Sequence, residues 1–213
     1  MSDKEYVREK WNEVYKQESA PLLPHKDLTE IVGVFRKRGV KRILDLGYGS
    51  GRHAVYLAAR GFEVWGIDIS DEGRRLVESR AKDLTLKVCL TLGSIYEPLP
   101  YEENFFDALI CTRTLHHGDI GQIRISIKEM ERVLKPEGFA FVTVRKRISK
   151  TKRIPFRVTG PRTYVPIEGK EKGLTHYLFN QEQLRKEFKN FKIDRLWVDA
   201  DNYYCLLGEL RKP

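Results

Sequence analysis

The chain reads as an α/β protein: a single doubly wound, mostly parallel sheet of seven strands, with helices on both faces and an antiparallel strand pair at its C-terminal end. Three observations predict this fold. Between Lys41 and Val144 short apolar runs alternate with amphipathic stretches, the order that yields parallel strands joined by crossover helices. A glycine cluster, GYGSG, stands directly between the first apolar run and the helix that follows it. The last two apolar runs are separated only by Ala200 to Asn202, a link that suits a hairpin and is too short for a crossover.

Each element has its own signal. Asp3 to Ser19 carries Tyr6, Val7, Trp11, Val14 and Tyr15 near helical spacing, followed by the break APLLP. Asp27 or Thr29 caps a second helix reaching Arg38, which Gly39 closes. KRILDL is the first strand, RHAVYLAAR a helix ended by Gly61, FEVWGID the second strand, and SDEGRRLVESRAKD a helix capped by Ser70 or Asp71. LKVCLTL and FDALICT are strands, Ile120 to Val133 is a helix stopped by KPEG, and FAFVTV is a further strand. Asn180 caps a short helix over Gln181 to Phe188, and FKIDRLWVD and YYCLLGEL form the closing pair. A single domain, 1–213, follows, with an N-terminal helical cap (1–38), a core (41–144), a long aperiodic basic insertion or lid loop (145–179) and a C-terminal helix with its strand hairpin (180–213).

A chain of 213 residues with 41% hydrophobic and 32% charged content is expected to bury one core and fold on its own. No apolar run approaches the roughly 20 residues of a membrane helix, and the N-terminus lacks a signal-peptide apolar stretch, so a cytoplasmic protein without a membrane partner is expected. Cys89, Cys111 and Cys205 lie singly in strand-like runs and read as buried thiols, with no metal ligation expected. The net charge of +9 is concentrated in Arg145, Lys146, Arg147, Lys150, Lys152, Arg153 and Arg157, which have no acid among them.

Gly47, Gly49 and Gly51 let the backbone turn sharply and approach a ligand closely. The dinucleotide fingerprint wants a third glycine at position 52, which is Arg52, so the spacing is GxGxG. Asp68 ends the second strand, where an acid accepts ribose hydroxyls. Asp45, just ahead of the glycines, disfavours a pyrophosphate and suits a cationic group, so the expected ligand is a positively charged nucleoside.

DLGYGSG followed by GIDIS resembles the first two motifs of class I, Rossmann-like S-adenosylmethionine-dependent methyltransferases, and the chain is similar to small methyltransferases of the type 11 kind. GSIYEPLPYEENFFDALICTRTLHH and ERVLKPEGFAFVTV resemble later segments of that family, and the likeness spans about Lys41 to Val144. The resemblance implies S-adenosylmethionine as cofactor and S-adenosylhomocysteine as product. It puts Asp45, Gly47, Tyr48, Gly49 and Gly51 along the methionine side, Asp68 on the ribose, and Ile69, Ser94 and Ile95 beside the adenine. Ser94 stands where the family often has an acid, and Tyr48 and Ser50 replace the frequent Cys and Thr.

Methyl transfer from a sulfonium asks mainly for positioning and exclusion of water, with a base needed only for a protonated acceptor. His116 and His117, beyond the fourth strand, are the candidate catalytic groups, against the plainer reading of a turn into the next helix. Trp11 and Tyr15 either fold over the sulfonium as aromatic faces or pack an amphipathic helix on the core. Arg113, Tyr164, His176 and Tyr177 are candidates for contact with the acceptor. The leading acceptor is a small molecule methylated at N, O or S. The 145–157 run leaves tRNA or rRNA as an alternative, and an NAD-dependent oxidoreductase or a nonenzymatic cofactor-binding protein remain as other classes.

Overall fold

A computed structural model describes residues 2–17, 23–146 and 155–212. Two helices, α1 (Asp3–Gln17) and α2 (Leu28–Lys37), precede β1 (Arg42–Leu46). The alternation then runs α3 (Arg52–Ala58), β2 (Glu63–Asp68), α4 (Asp71–Asp83), β3 (Cys89–Leu92), β4 (Phe106–Thr112), α5 (Ile120–Val133) and β5 (Leu134–Arg145). Three short strands follow, β6 (Phe156–Gly160), β7 (Thr163–Pro166) and β8 (His176–Tyr177), then α6 (Gln181–Glu187), β9 (Phe191–Val198) and β10 (Tyr203–Leu210).

The main sheet has the order β3-β2-β1-β4-β5-β10-β9. β3, β2, β1, β4 and β5 are mutually parallel, and β10 runs antiparallel between β5 and β9. The expected doubly wound, seven-stranded sheet with its terminal antiparallel pair is therefore present. Its strand order reverses between β1 and β4, where Ile43 pairs with Ala108 and Asp45 with Ile110, so a crevice opens at the carboxyl ends of these two strands.

Strand alternation splits the core into two layers. Leu44, Leu46, Leu109 and Cys111 face α5 and α6, packing with Ile123, Ile127, Met130 and Leu184. Ile43, Ala108, Ile110 and Phe141 face α2 and α3, packing with Ile31, Phe35, Ala54 and Leu57. The local signals for the helices act as read. Ser70 Oγ accepts from Gly73 N at 3.0 Å, and Asn180 Oδ1 accepts from Gln183 N at 2.8 Å. Asp119 and Gln122 cap α5 reciprocally, each side chain accepting the other's backbone N–H, at 2.9 and 3.0 Å.

The structure corrects four expectations. The 145–179 stretch is not a plain loop: β6, β7 and β8 form a second, antiparallel sheet, with strands of two to five residues that are too short to show a period of two. β5 begins at Leu134 rather than Phe139, because the KPEG turn is absorbed as an irregularity around Glu137, at φ +61°. Cys89 is exposed on edge strand β3, whereas Cys111 and Cys205 are buried. Of the expected N-terminal cap, only α1 lies over the carboxyl edge of the sheet, since Leu28, Ile31, Val32 and Phe35 build α2 into the core. Phe35 is fully buried with its ring 5.9 Å from that of Phe139. Phe35→Ala is expected to cost about 3–5 kcal/mol, read as a lower urea midpoint with an unchanged slope; an effect of a few tenths would mean that α2 is peripheral.

Candidate active site

The chain leaves β1 at Leu46 and turns through Gly47 to Gly51 into α3. Asp68, at the end of β2, holds this loop in place: its Oδ2 accepts the Gly49 N–H and its Oδ1 the Ser70 N–H, both at 2.9 Å. Each oxygen keeps acceptor capacity for a further donor, which suits the ribose diol expected there. Gly49 has φ +52°, and a Cβ on it would lie 2.6 Å from the Tyr15 hydroxyl, so glycine is what lets α1 close onto the loop. Gly51 is different from its expected place on the cofactor: at φ +78° it starts α3, and a Cβ there would run into Val77 of α4. It serves helix packing and does not line the cavity.

Asp45 shares the face of Ile43 and is completely buried, with neither carboxylate oxygen in a well-formed hydrogen bond. Burial, then repulsion from Asp68, pushes its pKa up to about 7, and the attraction of Arg52 and the Ala54 amide offsets only part of this. Burial likewise raises Asp68 to about 6 against the pull of its backbone N–H donors. Asp45, unsatisfied behind the glycine loop, suits a nearby cation, and Asp68, already bonded once at each oxygen, has room for hydroxyl donors. Arg52, at the start of α3, faces the same cavity and is partly stripped of water, a fit for a carboxylate. Ammonium, carboxylate and ribose groups occur together in S-adenosylmethionine, and these residues fit it.

A cavity of about 650 Å³ extends from this loop along the carboxyl edge, within the range of small-molecule sites. Gly47, Tyr48 and Gly49 line its floor, and Ile69, Ser94 and Ile95 line the side beyond Asp68. Ser94 Oγ accepts the Tyr96 N–H at 3.2 Å. Trp11 and Tyr15 cover the cavity from α1, which is tied down where Asn12 Oδ1 accepts from Ser70 Oγ (2.7 Å) and Glu72 N (3.1 Å), and where the Tyr6 hydroxyl donates to the Lys172 carbonyl (3.2 Å).

The opposite wall is built from the turn after β4 and from the small sheet. Arg113, held at φ +60° by its N–H to Thr143, pairs with Asp199 at 3.7 Å and with Asp201. His116 and His117 line the cavity, and Tyr164 stacks on His176 with ring centroids 4.9 Å apart. Burial pushes the pKa of all three histidines down, that of His117 to about 3, so each is a neutral imidazole and a weak proton acceptor at neutral pH. Tyr177 is not at the cavity. It points from β8 into the main core, its ring 4.9 Å from Phe179 and its hydroxyl accepting from Gln183 at 2.9 Å, because neighbouring residues on a strand face opposite sides.

Some lining residues were not singled out from the sequence. In the sequence Arg52 stands out only for the glycine it replaces, and Arg145 only as part of a basic run. Arg145 in fact turns inward, donating to the hydroxyls of Tyr164 (3.1 Å) and Tyr203 (3.3 Å) and to Glu171 (3.4 Å). Arg147, Lys150, Lys152 and Arg153 lie outside the described residues. His53, buried in α3, accepts the His25 backbone N–H at Nε2 (3.2 Å), which leaves Nδ1–H to donate to Thr112 Oγ1 (2.9 Å). No local pattern marks these residues, since their partners lie on other elements.

Residues 43–138 match the family described as "Methyltransferase domain". A glycine/sarcosine/dimethylglycine N-methyltransferase of Actinopolyspora halophila is 41% identical over 106 residues, 48% of this chain and 18% of that protein. The chain spans about half the length, or less, of the curated relatives it matches. In three dimensions the PH0226 protein of Pyrococcus horikoshii OT3 aligns with a TM-score of 0.74 at 21% identity, over 93% of this chain and 99% of that one. A 1,6-didemethyltoxoflavin-N1-methyltransferase of Burkholderia thailandensis, solved with S-adenosylhomocysteine, aligns at 0.68 and 18% identity, over 99% of this chain and 86% of that one. At such identities the structural likeness speaks for the fold alone. Among the described residues no helix is long and apolar enough to cross a membrane. Residues 43–138, which hold the glycine loop and the strands around it, are thus similar to the methyltransferase domain family, and the chain shares its fold with solved S-adenosylmethionine-dependent methyltransferases.

Proposed function

We propose that the protein transfers the methyl group of S-adenosylmethionine to a nitrogen, oxygen or sulfur of a small-molecule acceptor. The observation that carries this reading is that one covered cavity joins the glycine loop, Asp68 and Arg52 at one end to Arg113, His116, His117 and Tyr164 at the other. When bound, the cofactor supplies a methyl group already activated by the sulfonium. Asp68 orients the ribose, Arg52 takes the carboxylate, Asp45 favours the ammonium through its buried charge, and Ile69 and Ile95 pack on the adenine. Trp11 and Tyr15 exclude water and present aromatic faces to the cation. Arg113 and Tyr164 face the acceptor, whereas His176 is fully buried and packs against Tyr164 and His117 rather than lining the cavity.

His116 and His117 act by position rather than as strong bases, so the acceptor arrives with its lone pair free or loses its proton by other means. A covered cavity of this size favours a small acceptor. The tRNA or rRNA reading finds no support among the described residues of the 145–157 run: Arg145 faces inward and Lys146 lies over the Tyr204 ring at 5.2 Å, which leaves Arg157 as the one exposed cation of that run among them. The NAD alternative gives way to the family match.

Calorimetric titration is expected to show binding of S-adenosylmethionine and S-adenosylhomocysteine but not of NAD. Asp68→Ala is expected to weaken both by at least about tenfold, or about 1.4 kcal/mol, and Arg52→Gln by a similar factor. Binding of NAD in place of the sulfur nucleosides would overturn the reading.

The buried carboxyls also set a pH dependence. Unfolded, Asp45 titrates near 3.8, and folded at about 7, so in that window the native state keeps a proton that the unfolded chain has lost. The Asp45 contribution is full below about 3.8 and is lost as pH rises through about 7, at up to about 1.4 kcal/mol per pH unit. The buried histidines act oppositely, because once unfolded they take up protons below about 6.5 that the native state refuses. The Asp45 effect is therefore read as a difference. In the ligand-free protein Asp45→Asn is expected to gain stability relative to wild type as pH rises from about 4 to about 7; a difference in Tm that stays flat over this window would refute the raised pKa.

A further inference from the structure

Three histidines meet at the acceptor wall from two distant parts of the chain: His116 and His117 on the turn after β4, and His176 on β8. One ring nitrogen of each lies within 4.8 Å of the other two. Ring centroids are 4.4 Å apart for His116 and His117, 4.6 Å for His117 and His176, and 6.0 Å for His116 and His176. Both ring nitrogens of His116 and of His176, and Nδ1 of His117, have no hydrogen-bond partner, although His116 is 1% and His176 0% exposed. Buried polar atoms left unmatched in this number ask for an explanation. Three imidazoles can offer three lone pairs from nitrogens within 4.8 Å of one another, which a cation satisfies and an apolar or anionic ligand does not.

We propose that His116, His117 and His176 bind one divalent transition-metal ion of the zinc, cobalt and nickel class, with its remaining coordination open to the cavity. The donor set is all nitrogen, which suits these ions rather than magnesium or calcium, and three protein ligands with an open position is the arrangement of a reactive rather than a purely structural site. A tetrahedral ion with bonds of about 2.0–2.1 Å wants ligand atoms some 3.4 Å apart, so from a present spacing of up to 4.8 Å the rings move inward on binding. Tyr164 stacked on His176 and Trp11 edge-on to His117, at 4.8 Å, hold two of the rings in orientation. The nearest carboxylate, Glu171, has Oε2 3.4 Å from His176 Nε2. Arg145, paired with Glu171 at 3.4 Å, and Arg113, paired with Asp199 and Asp201, are partly neutralised but still oppose positive charge at these histidines. A second group, His25, Asp27 and Cys205, is already engaged: His25 Nε2 is 3.0 Å from Asp199 Oδ2, and its Nδ1 accepts the Asp27 N–H at 3.2 Å.

The metal's role rests on the methyltransferase reading. A hydroxyl or thiol of the acceptor coordinated there releases its proton to water more readily, which leaves its lone pair for the methyl carbon without a strong protein base. The acceptor class that this site selects is a small molecule with an oxygen or sulfur donor able to ligate a metal.

The test is a cobalt(II) titration followed by visible absorption, on chelator-treated protein without a polyhistidine tag, with S-adenosylhomocysteine binding measured on the same samples. One equivalent of cobalt with the bands of a four- or five-coordinate nitrogen site is expected, weakened at least tenfold in His176→Gln, while that variant binds S-adenosylhomocysteine as wild type does and so reports its own folding. Absence of stoichiometric cobalt binding, or binding indifferent to His176→Gln, would overturn the site. A thiolate-to-cobalt charge-transfer band lost in Cys205→Ser would do the same, since it puts the ion at the other group. Cobalt bound as expected without any S-adenosylhomocysteine affinity would leave the metal site standing and remove the methyltransferase reading, so the two fail separately.

Discussion

The arrangement of the site depends on one carboxylate. Asp68 sits where β2 ends, and its two oxygens take N–H groups from the glycine loop and from the start of α4, which locks three segments into one corner. That corner lies beside the reversal of strand order between β1 and β4, the place where an open parallel sheet has a crevice because its connections leave toward opposite faces. Geometry there is set by backbone hydrogen bonds to a single side chain, so the loop is pre-shaped for a ligand that completes the same carboxylate's acceptor capacity.

The carboxyl edge concentrates buried polar groups to an extent that the fold does not require. Asp45, Asp68, His25, His53, His116 and His176 are all buried there. Each such group costs stability unless matched, and several are unmatched within the chain. The two hydrophobic layers, anchored by residues such as Phe35, Phe106, Phe141 and Phe188, offset that cost from a distance. Stability and function are thus spatially divided, the interior of the sheet sustaining an edge that is electrostatically unfavourable on its own.

Closure of the cavity comes from elements remote in sequence. α1 reaches it from the N-terminus, and the small sheet reaches it between β5 and α6. The two touch where Tyr6 bonds to the Lys172 carbonyl. The glycine-loop end and the Arg113 end of the cavity are therefore roofed by different pieces, and those over the Arg113 end are additions to the sheet rather than parts of it.

The sequence by itself determined the sheet, its terminal antiparallel pair and the corner where the glycine loop meets Asp68. The apolar runs have period and length enough to be read one at a time, and the glycines with Asp45 and Asp68 follow from where a strand ends. Helix caps such as Ser70, Asp119 and Asn180 were equally legible, because a cap acts on a residue three positions away. The second sheet was not legible, its strands being too short to establish a period, nor were the inward turn of Arg145 and the opposite fates of His176 and Tyr177. Which of two adjacent residues on β8 packs against the cavity-wall residues Tyr164 and His117 is decided by the register of β8 on β7, where Tyr164 pairs with His176. The meeting of His176 with His116 and His117 is likewise a tertiary event: some sixty residues of chain separate them, and only the folding of the small sheet over the β4 edge brings their rings together.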